Sequence, residues 1–243
     1  MRNNQGCTPR PRGRPQVRSD EETKRLAIEA ASKAFQTCGY AGTNMNIVSQ
    51  QAGISTKTLY RLIPTKAALF QMVIAKRIGQ FILAVDEETL NTLALQDALE
   101  RILIAYAALA LDEETIALNR AVIAEHERFP EIATDFYQGA IERTGAVIEN
   151  WLKQQCDRGL IRLADTRMAS GMLRGMMIMD PMRAAMLGQR KAPDRAENEA
   201  RARFCAALFL EGCQVKGPTL CQLADRDDVL ASTPSSPGDR ARE

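Results

Sequence analysis

Gly53 and its flanking residues constrain this chain more than any other feature. If Met45 is counted as the first residue of a motif, Gly53 is the ninth, and Val48, Ala52, Ile54, Leu59 and Leu62 are apolar around it. Two short helices can fold onto one another across so tight a link only if a residue in the link takes positive φ and the facing positions are apolar. Met45–Ala52 and Thr56–Leu62 read as those helices, joined by Gly53-Ile54-Ser55, which makes the segment a helix-turn-helix. Ser55 is placed to cap the second helix, so its first turn presents Thr56, Lys57 and Thr58. In a DNA-binding helix-turn-helix that turn meets base edges in the major groove, and Lys57 adds charge against phosphate.

The rest of the chain is patterned for helices. Ser19-x-x-Glu22 fits a capping box ahead of a stripe at Leu26, Ala27, Ala30, Ala31, Ala34 and Phe35, with Gly39 as the stop. Pro64 breaks the chain, and Thr65 caps a helix through Leu69, Phe70, Val73, Ile74 and Ile78. Longer helices follow: about 95–111, then Asp112 to Phe129, then one opened by Pro130 that runs towards Gly159. Asp165 opens another with Met168, Met172, Met176 and Met179, and the last covers about 194–212. No strand pattern or repeat is visible, and scarce aromatics (5%) beside abundant Ala, Leu, Ile and Met favour helix. The fold class is therefore all-α, about nine helices. A three-helix, helix-turn-helix DNA-binding domain (19–77) lies between a disordered basic arm (1–18) and a helical bundle (78–216), and 217–243 reads as a disordered tail.

Charge separates along the same division. Residues 1–77 carry 13 Lys/Arg and 4 Asp/Glu, a net +9, while 78–243 carry 19 and 26, a net −7. A basic end on an acidic body points to a polyanion partner for the first third only. The arm Arg10 to Pro15 can place Arg12 and Arg14 in a minor groove, or can be a generic solubilising tail. No uninterrupted apolar run reaches membrane-span length, and no apolar leader opens the chain, so a cytoplasmic protein without a membrane partner is expected. Six dispersed cysteines lack a C-x-x-C pair and read as free thiols. His126 is the only histidine, which argues against a Ser-His-Asp triad or a His-rich metal site. Neither an enzyme nor a cofactor or metal site is expected.

The residues from Ala27 to Ile74 also carry a resemblance. Ala31, Phe35, Gly39, Tyr40 and Thr43, then Ala-Gly-Ile-Ser-x-x-Thr-Leu-Tyr from Ala52 to Tyr60, then Pro64, Lys66, Leu69 and Phe70 look like the DNA-binding domain of the TetR/AcrR family of bacterial regulators. The resemblance implies that Thr43, Tyr60 and Lys66 hold phosphates and that Thr56, Lys57 and Thr58 form the reading face, with Ser55 and Arg61 beside them. Leu62-Ile63 departs from the usual His/Tyr-Phe pair, and Ser49 replaces the usual Ala.

The segment from Ala121 to Asp165 is similar to the C-terminal domain of AefR-like members, which implies ligand sensing and dimerisation through the last two long helices. The implied partners are a palindromic double-stranded operator, a second copy of the chain, and a small effector, with effector binding releasing a repressor from DNA. Scattered aromatics and methionines in the bundle suggest an apolar site lined by Phe136, Trp151, Met172 and Met176. A core or dimer stripe is the competing use of the methionines, and Gly171-x-x-x-Gly175 supports it by allowing close helix approach. Arg174 and Asp180, in a mostly apolar helix, are candidates for polar recognition or an inter-subunit contact.

Overall fold

The computed structural model describes residues 18–215. The arm with Arg12 and Arg14, the tail from 217, and Cys7 and Cys221 lie outside the described residues. The chain forms α1 (Asp20–Gly42), α2 (Met45–Ala52), α3 (Thr56–Leu62), α4 (Lys66–Ala84), α5 (Glu87–Asn91), α6 (Leu95–Ala110) and α7 (Glu113–Glu125). After α8 (Pro130–Phe136) a π-helical turn (Tyr137–Glu142) runs straight into α9 (Arg143–Asp157), and α10 (Thr166–Met186) and α11 (Arg195–Cys213) complete it. If the continuous α8–α9 rod counts once and the single-turn α5 is set aside, nine helices remain among the described residues.

Local chemistry sets the helix boundaries. Ser19 accepts the backbone N–H of Glu22 at 3.1 Å, and three acidic residues in the first turn complement the dipole of α1. The full reciprocal capping box forms at the other end of the chain, between Asp194 and Glu197 at the start of α11. α1 does not stop at Gly39: the chain kinks there, at φ 68° and ψ 179°, and stays helical to Gly42. Gly53 takes the left-handed conformation that the turn requires, at φ 63° and ψ 38°. Pro181 sits inside α10 rather than ending it.

Two apolar cores result. One lies between α6, α9, α10 and α11 and contains Leu99, Leu103, Ile148, Leu152 and Leu173, all fully buried. The other begins under the helix-turn-helix with Phe35, Val48, Leu59, Leu69 and Phe70 and continues into Leu118 and Val122 of α7 and Ile132 and Phe136 of α8. Each such side chain contributes about 1.5–3 kcal/mol by leaving water. Ile63 is 1% exposed, so the departure from an aromatic at that position leaves the core filled. α4 runs unbroken through residue 77, and the second core crosses that boundary with it.

By length and composition the helical stretch 66–91 would pass for a membrane span. Its apolar side is instead taken up by the cores, while Lys76 and Arg77 pair with Glu29, Asp112 and Glu114. At the far end, Arg162 N–H donates to Cys213 O at 2.8 Å and Val215 N–H to Leu160 O at 3.0 Å, an isolated bridge that fastens the end of α11.

The two positive-φ glycines of the DNA-binding end make different demands. An added Cβ at Gly53 meets nothing within 4 Å, whereas at Gly39 it would lie 2.7 Å from Glu125 Oε1. Gly53→Ala should cost about 1 kcal/mol, for the left-handed backbone alone. Gly39→Ala should cost about 2–3 kcal/mol, because its φ and ψ are open essentially only to glycine. Urea unfolding of the two variants checks this, and equal losses would contradict the glycine-only backbone assigned to residue 39.

Candidate nucleic-acid interface

The outward side of α3 is built from its own cap. Ser55 Oγ accepts the Thr58 N–H at 3.0 Å and shares a hydrogen bond with Thr58 Oγ1 at 2.8 Å. Lys57 and Tyr60 stand exposed on the next positions, Tyr60 at 49%. Thr56 is differently placed. Its hydroxyl lies 3.0 Å from that of Ser49, and Ser49 Oγ donates to Asn46 O at 2.9 Å. A hydroxyl has one proton, so Thr56 must be the donor to Ser49. Thr56 is left with free acceptor lone pairs and a methyl group, and the serine that replaces the usual alanine is the cause.

The remaining candidates are held by the protein itself. Arg61 makes a two-pronged ion pair with Asp20, at 3.0 and 2.7 Å, and this bond holds the Asp20 carboxyl below its ordinary range. Thr43 is buried and donates to Gly39 O at 2.7 Å. Lys66 donates to Tyr40 O at 2.8 Å and Thr43 O at 3.1 Å, and its ammonium lies 4.2 Å from the centre of the Tyr40 ring. Burial pulls its pKa down. Ser55, Thr56, Lys57, Thr58 and Tyr60 thus come together on α3, Thr43 and Lys66 fasten the end of α1, and Arg61 joins α3 to the start of α1. The sequence reading passed over two participants: Ser49 as the partner of Thr56, and Arg18, whose guanidinium reaches Gly53 O at 3.4 Å.

The end of α1 is also where the bundle docks. Glu125, the last residue of α7, accepts the Ala41 N–H at 2.7 Å. Tyr40 packs edge-on against Phe70 and Phe129, with ring centres 5.5 and 5.3 Å apart, and stacks on Phe35 at 5.7 Å. Burial and the nearby carboxylates of Glu131, Asp135 and Glu125 raise the Tyr40 phenol pKa.

Beyond this junction an apolar cavity of about 290 Å³ opens between α4, α6, α7, the π-turn and α10. Of the four proposed effector residues only Phe136 lines it. Trp151 is packed in the core under α6 and borders a separate groove with Ile102 and Val147. Met172 is 59% exposed, and Met176 packs against that same core with its carbonyl taking a hydrogen bond from Arg201. The cavity face of α10 is instead Gly171, Arg174, Gly175, Ile178, Met179 and Met182, a helical period that leaves Met172 and Met176 one position round the helix. Nothing in the chain lies within 4 Å of a Cβ added at Gly171 or Gly175, so neither seats another helix of the same chain, and both border the cavity.

Fold and site together define a helix-turn-helix DNA-binding regulator with a helical bundle behind it. Residues 27–73 match the profile described as bacterial regulatory proteins, tetR family, and residues 97–212 match that of the AefR-like transcriptional repressor C-terminal domain. The chain belongs to the TetR family of transcriptional regulators, which are DNA-binding proteins and not enzymes. It is 25% identical over 139 residues to the uncharacterized HTH-type transcriptional regulator YhgD of Bacillus subtilis, covering 57% of this chain and 70% of that one. A crystal structure of a TetR-family regulator from Mesorhizobium loti superposes with a TM-score of 0.70 at 28% identity, covering 82% of this chain and 100% of that one. The flavonoid-responsive regulator FrrA shares the fold at 23% identity and a TM-score of 0.65, over 81% of this chain and 100% of its own.

Lys66 and Lys57 should separate cleanly in a stability measurement. Lys66→Met removes two hydrogen bonds from buried carbonyls and should cost about 1–3 kcal/mol, while the exposed Lys57→Met should stay within about 0.5 kcal/mol of wild type. Urea unfolding without DNA decides; an unaltered Lys66→Met midpoint would remove Lys66 from the junction.

Proposed function

We propose that this protein is a cytoplasmic, homodimeric repressor that reads a palindromic operator through α3 and is released when a small molecule fills the cavity behind the helix-turn-helix. One observation carries the proposal. Ile74, Ile78, Leu118 and Phe136 line the cavity and also belong to the core on which α1 and α4 are seated. An occupant that repacks them shifts the seat of α4, and α4 follows directly on α3 through Pro64. It does so only by as much as its affinity differs between the two arrangements.

On DNA, Thr56 and Thr58 face base edges, Lys57 and Tyr60 meet phosphate, and Arg61 leaves Asp20 for a phosphate of similar geometry. Lys66 keeps two of its three ammonium protons in the junction and has one for phosphate. Dimerisation uses the outer faces of α10 and α11, where Met168, Met172, Phe204 and Leu208 are each exposed, with Leu187 exposed just past the end of α10. Apolar exposure on that scale marks an association surface. The two copies of α3 must then lie about 34–36 Å apart, one turn of DNA.

Footprinting on DNA upstream of the protein's own gene, with light scattering for the mass, tests the first half. Two protected half-sites about ten base pairs apart and a dimer mass are the expected results, and a monomer at micromolar concentration would defeat the reading. Ser49→Ala frees the Thr56 hydroxyl to donate, so it should change the preferred base at one operator position by about 1–3 kcal/mol while the salt slope stays fixed. The effector half is tested with Gly175→Leu, which places a side chain in open cavity space and replaces a poor helix former with a good one. That variant should bind the operator as wild type does and fail to be released by the cell extract that releases wild type. Release identical to wild type would show that the cavity is not the effector site.

A further inference from the structure

Two guanidinium groups stand in the cavity wall, and they are not equivalent. Arg77 pairs with Asp112 and with Glu114, the latter at 2.7 Å, and donates to Thr115 Oγ1 at 3.0 Å. Arg174, on α10, has no carboxylate within ion-pair distance among the described residues. Its Nη1 donates to Ile141 O at 3.1 Å, while its Nε is buried with no hydrogen-bond partner. The guanidinium rests on α9 where Gly145 leaves room: an added Cβ there would sit 3.0 Å from Nη2 and 3.1 Å from Cζ. Burial raises the pKa of the neighbouring Tyr106 phenol, and the charge and polar contact of the Arg174 side chain partly offset that rise.

The guanidinium is half-buried and cannot shed its proton, so its charge persists in an apolar wall with no counter-charge. Left alone this is unfavourable, and an anion entering the cavity relieves it. Nη1 is taken by Ile141 and Nε is closed off by protein atoms, which leaves Nη2 as the donor open to an anion in the cavity. The rest of the wall supplies no second free cation among the described residues, so a single negative charge balances the site and a phosphate dianion does not. The remaining surface is largely apolar, with Ile78, Phe136, Ile178 and Met179 among the lining residues. The volume of about 290 Å³ lies at the small end for a ligand site.

We infer that the effector is a compact amphipathic carboxylic acid, its carboxylate held by Nη2 of Arg174 and its apolar body against α4, α8 and α10. This inference rests on the effector reading of the cavity given above, and it adds the chemical class of the occupant.

The test is isothermal titration calorimetry of the full chain with decanoate, decanol and decyltrimethylammonium, which put three heads on one tail. Decanoate should bind at least about tenfold tighter than decanol, which is the worth of a hydrogen-bonded charge pair, and the cation should bind weakest. Arg174→Gln should bring decanoate down to the affinity of decanol and leave decanol within about twofold. Arg174→Lys, which keeps the charge but not the Nη2 donor, should retain part of the preference. Equal binding of decanoate and decanol by wild type overturns the inference, as does an Arg174→Gln variant that weakens both alike. The headgroup comparison on wild type decides even if Arg174→Gln fails to fold. Should none of the three compounds bind while Gly175→Leu still abolishes release by extract, the carboxylate inference falls and the effector cavity stands. If Gly175→Leu also responds normally, both fall.

Discussion

The structure depends most on how the end of α1 is held. Three separate parts of the chain converge there: Lys66 from the start of α4 takes two of its carbonyls, Glu125 from the end of α7 takes one of its amides, and Phe129 closes on the Tyr40 ring. A helix end carries carbonyls and amides that its own turns cannot satisfy, and burying them without partners costs about 1–3 kcal/mol each. The partners here come from both halves of the molecule. The same few atoms therefore complete α1, position the helix-turn-helix and attach the bundle to it. Gly39 is the condition for all of it, since only a residue without Cβ allows both the kink and the approach of Glu125.

Much of the fold was legible in the sequence because its signals are local. Ser55, Thr65 and Asp112 cap the helices they were read to cap, Asp165 and Pro130 open the helices they were read to open, and the apolar set around Gly53 closes the helix-turn-helix. Less legible were features that depend on a distant partner. Gly39 looked like a helix stop because glycine usually is one; its actual role requires knowing that Glu125 lies across from it. The π-turn at Tyr137–Glu142 inserts an extra residue into one helical turn and leaves no mark in a pattern of apolar spacing.

The candidate site divides along the same line. The recognition face follows from consecutive residues and could be read from them, whereas the cavity depends on the rotation of α10 about its own axis. Met172 and Met176 share a stripe with Met168 and Met179 at the level of the sequence, but a shift of one residue turns a side chain by about 100°. The face that reaches the cavity begins at Gly171, where the signal is the absence of a side chain. Arg174 looked like an anomaly in an apolar helix, and its meaning waited on the carboxylates that Arg77 has and it lacks.

A core shared between cavity and DNA-binding unit also shapes how such a protein can diverge. Changing Phe136, Leu118 or Ile74 to admit a new molecule would disturb the seat of α1 and α4, so those positions are held by two requirements at once. Ile178, Met179 and Met182 border the cavity and take no part in the core beneath the helix-turn-helix. Substitutions can accumulate along that one face of α10 and reshape the cavity while the seat of α1 and α4 passes through the change intact.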